Sequence, residues 1–157
     1  MYQSTKVIDG FSTCFRQWRA VNSHCSYLHG YALSFKLVFQ ATTLDNKNWV
    51  QDFGFTKSPI MQLSNTPEKV VTIKDWFSYM FDHTTIIASD DPAYMKFDIM
   101  DTLALIKLRT LDNVGCEAFA KFVFDFIEKE IRINGDRVKL LSVECIENPN
   151  NSAIYFG

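Results

Sequence analysis

No apolar run in this 157-residue chain approaches the roughly 20 residues that a helix needs to cross a bilayer. There is no block of Lys or Arg, and the formal net charge is −2, so no nucleic acid and no membrane are expected as partners. Gln3, Ser4, Lys6 and Asp9 interrupt the first ten residues, which therefore lack the apolar core of a secretory signal and predict a cytoplasmic protein. Cysteine is sparse, and Cys14, Cys25, Cys116 and Cys145 are expected to be thiols in a reducing compartment. Neither a CxxC nor an HExxH pattern is present to declare a metal site. Repeats, low-complexity tracts and linkers are missing too, which predicts one domain over 1–157.

What is abundant is apolar side chain. Hydrophobic residues make up 47% of the chain and aromatics 15%, with 14 Phe, ample to bury a core and too much for a disordered chain. The same excess suits a surface covered by further copies of the chain.

Periodicity then divides the sequence. Lys6 to Trp18 mixes β-branched, aromatic and polar residues and predicts a strand. A polar loop, 22–26, precedes a second strand over His29 to Ala41. Its odd positions His29, Tyr31, Leu33, Phe35, Leu37 and Phe39 share one face. Asp45 to Asn48 reads as a turn, Trp49 to Phe53 as a short extended piece, and Ser58-Pro59 as the opening of a short helix. Thr72 is placed to cap a helix with Asp75 at its third position, and Ile73, Trp76, Phe77, Met80 and Phe81 form its apolar stripe up to Asp82-His83. Ser89 to Pro92 predicts a turn and Leu103 to Thr110 a strand. Gly115 to Glu130 predicts the longest helix, anchored by Phe122, Val123 and Phe126 and stopped at Asn134-Gly135. Arg137 to Glu147 alternates as a last strand with Leu141, Val143, Cys145 and Glu147 on one face. The order predicts an α+β fold, with helices on one face of an antiparallel sheet.

Three clusters bear chemistry. In Ser23-His24-Cys25-Ser26-Tyr27-Leu28-His29-Gly30-Tyr31, with Cys14 upstream, a thiol and two imidazoles fit soft-metal binding or thiolate chemistry; a small buried thiol and a hydrogen-bonded histidine fit it equally simply. Asp82-His83 pairs a carboxylate with an imidazole, which suits a general base or proton relay, or else a solvated surface pair. Glu147 continues an apolar row. Either the strand has left the core there, or the carboxylate meets a group that offsets its desolvation.

Taken in order, these clusters resemble the 6-pyruvoyltetrahydropterin synthase and 6-carboxytetrahydropterin synthase family, of which the chain would be a divergent member. Cys25, four residues before His29-Gly30, is similar to the Cys-x3-His-Gly-His run of the carboxytetrahydropterin branch. Val50-Gln51-Asp52-Phe53-Gly54 resembles the step after the family's second strand. Phe81-Asp82-His83 resembles its Leu-Asp-His element, Gly115-Cys116-Glu117 its helix start, and Val143 to Tyr155 its terminal strand.

The resemblance implies the tunnelling fold: a four-stranded antiparallel sheet backed by helices, assembled as a hexamer around a barrel. It implies a pterin substrate, 7,8-dihydroneopterin triphosphate, in pathways to biopterin, folate-like products or the modified tRNA base queuosine. By the same resemblance Cys25 is the proton-abstracting thiolate, Asp82 and His83 are its relay, and Glu147 holds the pterin N3 and 2-amino group. Family members hold zinc with three histidines, but of these positions only His29 is a histidine here. Tyr31 stands at the third, and Phe15 (or, with a one-residue shift, Cys14) at the first. About twenty extra residues between His83 and Gly115, spanning 85–112, depart from the family pattern and are expected to form an extra hairpin. The readings that follow are a pterin lyase, a pterin- or purine-binding protein without the family zinc, or a structural assembly protein.

Overall fold

The computed structural model describes residues 1–61, 66–133 and 135–157. Among the described residues six strands and three α-helices follow one another: β1 (Tyr2–Phe15), β2 (His29–Ala41), α1 (Ile73–Phe81), β3 (Thr84–Ala88), α2 (Tyr94–Thr102), β4 (Leu108–Leu111), α3 (Cys116–Arg132), β5 (Lys139–Asn148) and β6 (Asn151–Phe156). They form one sheet in the order β4-β3-β1-β2-β5-β6. The expected four-stranded antiparallel sheet is thus a six-stranded mixed one. Two parallel strands extend it on one side, where β3 pairs with β1 and β4 with β3, while the final run folds back into a β5–β6 hairpin on the other.

The extra residues 85–112 supply β4 and α2, and with β3 they make a β-α-β crossover. A hairpin is excluded because parallel neighbours need a crossover connection, and α2 provides it. All five residues of β3 are buried although they alternate between faces, as in a strand covered on both sides.

Strand β2 occupies the predicted span, and its odd residues Leu33, Phe35, Leu37 and Phe39 are buried. They pack against an aromatic layer from α1 and α3. Phe35 lies 4.7 Å from Phe81 between ring centroids, and Trp76 stacks on Phe126 at 3.7 Å and 7°. Thr72 caps α1 as its sequence suggests, with the reciprocal Asp75 contact of a capping box. In α3 the fully buried anchors are Phe119, Val123 and Ile127. Phe122 and Phe126 are half-buried instead, because they reach sideways to Trp76.

Other boundaries moved. β1 starts four residues earlier than the predicted strand and ends at Phe15. Residues 49–52 are not a strand; a 3-10 turn, Phe53–Lys57, follows them and ends at Ser58, so Ser58-Pro59 closes a turn and opens no helix. Pro59 instead bridges to Thr72. Gly135 adopts φ 107°, the conformation glycine tolerates after a helix, while Asn134 lies outside the described residues.

Two bulges decide which side chains face the core. Between Ile8 and Phe11, β1 carries one residue more than β2, and Gly10 supplies the positive φ of 87°. The inward set therefore changes from even to odd numbers and delivers Phe11, Thr13 and Phe15 to the core. In β5 the extra residue is Leu141, so Leu140 joins Val143 and Cys145 inside, and Leu141 leaves the predicted row.

Candidate functional site

The C-terminal end of β1 and the start of β2 form a short ladder in which Phe15 pairs with His29, Cys14 with Gly30 and Thr13 with Tyr31. Alternation puts Phe15, His29, Thr13 and Tyr31 on one face and Cys14 on the other. On the shared face the Phe15 ring lies flat on Tyr31 at 4.1 Å and 13°, and Tyr31 touches the His29 ring at 4.5 Å. Phe15, 3% exposed, also meets Phe119 edge-on, so this stack is continuous with the core. One ring nitrogen of His29 is already engaged, its Nδ1 lying 2.9 Å from the Tyr27 carbonyl oxygen.

Cys25 sits in a one-turn 3-10 helix, His24–Ser26, in the loop between β1 and β2. Its backbone is held at both ends: its N–H donates to Ser23 Oγ at 3.1 Å, and its carbonyl accepts from Gln17 N at 2.8 Å. The thiol is half-buried.

Glu147 comes from the other side of the sheet. It is the extra residue of a bulge between β5 and β6, a device that re-aims a side chain locally. Asn148 follows it, and its side-chain oxygen accepts from the N–H groups of Asn150 and Asn151 to close the hairpin. The Glu147 carboxylate is half-buried and, among the described residues, accepts only a long hydrogen bond, 3.3 Å, from Asn148.

Tyr31 senses both of these groups. Burial, then the negative charges of Cys25, Glu147, Cys116 and Cys14, push its phenol up to about 12. The thiol from one loop and the carboxylate from the last hairpin are therefore both within electrostatic reach of one hydroxyl. Beside them the neighbouring Cys116 and burial push the thiol of fully buried Cys145 up.

Asp82 and His83 follow α1, Asp82 as its C-cap and His83 at φ 54°. His83 Nδ1 is 3.0 Å from Asp82 Oδ1, and the same oxygen accepts from Ser12 N at 3.3 Å, fixing the carboxylate to β1. The imidazole is 74% exposed. This pair lines a hollow with Lys69, Tyr79, Lys107 and Arg109, and neither Cys25 nor Glu147 is in that lining.

Residues 5–157 match the family model described as 6-pyruvoyl tetrahydropterin synthase. The chain belongs to this family. Among curated proteins, the 6-carboxy-5,6,7,8-tetrahydropterin synthase of Aquifex aeolicus (strain VF5) is 26% identical over 145 residues, covering 90% of this chain and 80% of its own. Among solved structures, an uncharacterized protein from Wolinella succinogenes superposes with a TM-score of 0.77 at 20% identity, covering 99% of this chain and 98% of the other. The 6-pyruvoyl tetrahydropterin synthase of Plasmodium falciparum gives 0.61 at 14% identity, with 99% and 98% covered. The Caenorhabditis elegans synthase gives 0.60 at 17%, with 99% and 95% covered. These likenesses establish the synthase fold.

The side chains at the expected metal position do not fit the zinc of the family. Phe15 offers only carbon, Tyr31 holds its proton far above neutral pH, and Cys14 points to the opposite face from His29. A single imidazole remains. Among the described residues no three His, Cys, Asp or Glu side chains gather around a common point.

Reading the sequence alone missed a group of residues behind Cys25. Arg16, Gln17 and Trp18 were visible only as the tail of a strand, Arg19 lay outside every predicted element, and Asp90-Asp91 read only as a turn. Opposite charges seventy residues apart carry no sequence signal of their pairing.

Proposed function

We propose that this chain is a 6-pyruvoyl/6-carboxytetrahydropterin synthase-like carbon–oxygen lyase that acts on 7,8-dihydroneopterin triphosphate or a related pterin. Family membership supports the reaction class, and the name of the Aquifex relative supports the carboxytetrahydropterin branch. The observation that carries the reading is Glu147, a half-buried carboxylate set at a strand bulge with one long hydrogen bond, as a group awaiting a ligand's N–H edge would be.

In this reading Glu147 accepts two N–H bonds from the guanidine-like edge of the pterin, a bidentate pairing that sets the ring's orientation. Such a ligand would also offset the desolvation of a carboxylate that the protein itself scarcely satisfies. Cys25, as thiolate, takes a proton from a side-chain carbon. His83 is oriented by Asp82 through Nδ1, which leaves Nε2 free to pass the proton on. Because the hollow at Asp82-His83 lacks Cys25, the reading takes that pair from a neighbouring copy in a homo-oligomer, a hexamer by resemblance. The whole of 1–157 acts as one cytoplasmic domain. No helix among the described residues is long and apolar enough to cross a membrane.

A second reading rests on the Phe15–Tyr31 stack: a pterin- or purine-binding protein without the family chemistry. The zinc of the family polarises the substrate side chain and makes its carbon-bound protons easier to remove, and this donor set does not suit that metal. Incubation with 7,8-dihydroneopterin triphosphate, with and without added zinc, separates the two. Product formation that Cys25→Ala abolishes is expected; tight pterin binding without turnover in either condition would establish the binding protein instead.

A further inference from the structure

The residues just after β1 grip two things at once. Arg16 forms a bidentate pair with Asp91, Nε to Oδ2 at 2.8 Å and Nη2 to Oδ1 at 2.6 Å, and its remaining nitrogen reaches the carbonyl of Ser26 at 3.3 Å. Gln17 donates its backbone N–H to the carbonyl of Cys25 and its side-chain amide to the Val114 carbonyl at 2.6 Å. Trp18 and Arg19 both bond Asp90, and the Arg19 guanidinium lies over the Trp18 ring at 4.3 Å. The anchors at Asp90, Asp91 and Val114 lie at the two ends of the piece that contains α2 and β4. The links to the carbonyls of Cys25 and Ser26 run to the turn that carries Cys25.

Asp91 is the centre of this arrangement. Its side chain is 1% exposed, and its Oδ1 also accepts from Ala93 N at 2.8 Å. The guanidinium holds its carboxyl below the usual range. A buried ion pair is a poor way to gain stability, since its desolvation consumes most of the attraction, but its fixed fork geometry specifies position well. Here the position specified is that of the residues flanking Cys25. Steric fit supports the same conclusion: Gly115 adopts φ 114°, and a Cβ there would collide with the Gln17 amide nitrogen, so the helix start is shaped to admit Gln17.

We infer that Asp91, through Arg16, is a positioning residue for Cys25, and that the additional crossover between β3 and α3 serves as the brace for the thiol-bearing turn. This inference rests on the reading of Cys25 as the reactive thiol, and its tests are chosen to fail separately from that reading. No further contact with substrate is assigned to Asp91.

The test compares the natural chain with Asp91→Asn, Arg16→Lys and the surface control Asp125→Asn. Arg16→Lys keeps the charge and loses the fork, so it decides the matter should Asp91→Asn not fold. Amide hydrogen exchange in a peptide spanning 22–28 is expected to accelerate about tenfold in both variants, with peptides from β2 and α3 unchanged. The turnover number is expected to fall about tenfold with KM for the pterin nearly constant, because alignment of the thiol is lost and pterin binding is not. The Asp125→Asn chain should match the natural one in every measurement. Unaltered exchange in 22–28 in the folded variants would overturn the brace. If Cys25→Ala turns over as well as the natural chain, the catalytic role of Cys25 fails, and the exchange measurement alone then decides whether the crossover braces the turn.

Discussion

Glu147 is the residue whose surroundings ask most clearly for a ligand. It stands at a bulge, half-buried, with one weak hydrogen bond, and its charge is felt at Tyr31. Glutamate offers two acceptors to a pterin's N–H edge, whereas glutamine offers one acceptor and one donor that opposes it. Hydrogen bonds to a charged group contribute about 1.5–3 kcal/mol, so Glu147→Gln should weaken pterin binding by about thirtyfold while leaving the melting temperature nearly unchanged. Fluorescence titration with the pterin measures this directly. Binding that is unaffected would remove Glu147 as the pterin's anchor, and a natural chain that binds no pterin would leave a structural assembly protein. In the sequence Glu147 was visible as a carboxylate in an apolar row. Its bulge was not, because it depends on how β5 and β6 align.

At the scale of elements, legibility followed locality. β2 and α1 emerged at nearly their true limits, since alternation over thirteen residues and a Thr72–Asp75 capping box are written in neighbouring residues. The two register shifts at Gly10 and Leu141 were hidden, because a bulge is a property of a pair of strands. The parallel crossover was mistaken for a hairpin for a similar reason: β3 and β4 pair with each other, while the helix that separates them has one buried residue, Phe97, and little apolar periodicity. Register also settles the fate of the metal position, with Phe15 and not Cys14 facing His29. From that follows a constructive prediction. Changing Phe15→His and Tyr31→His together would place three imidazoles on one face of the β1–β2 ladder, the donor set zinc accepts. The double variant is expected to copurify with about one zinc per chain, the number expected of a three-imidazole site, and the natural chain with far less, by elemental mass spectrometry. Equal zinc in both proteins would show that the Phe15–Tyr31 stack has not displaced the metal.

The whole molecule raises the question of how a thiol and an imidazole that share no hollow can act together. Within one chain Cys25 stands in the loop between β1 and β2 and Glu147 at the β5–β6 bulge, whereas Asp82 and His83 open between α1 and β4 beside Lys107 and Arg109. A homo-oligomer resolves this if the hollow of one copy faces the Cys25 turn of the next. Exposed apolar groups at the sheet's last strand, Ile154 and Phe156, and on the loops, Tyr27, Trp49 and Phe53, give such copies surface to bury. Complementation tests it. Cys25→Ala and His83→Ala chains should each be inactive alone. Coexpressed in equal amounts, they assemble at random, and about one quarter of sites between neighbours then receive a natural thiol from one chain and a natural imidazole from the other. Activity near that fraction of the natural oligomer is the expected result. A site contained in one chain could not be repaired by mixing, because every chain would still lack one of the two groups, and a coexpressed pair as inactive as its parents would refute the shared site.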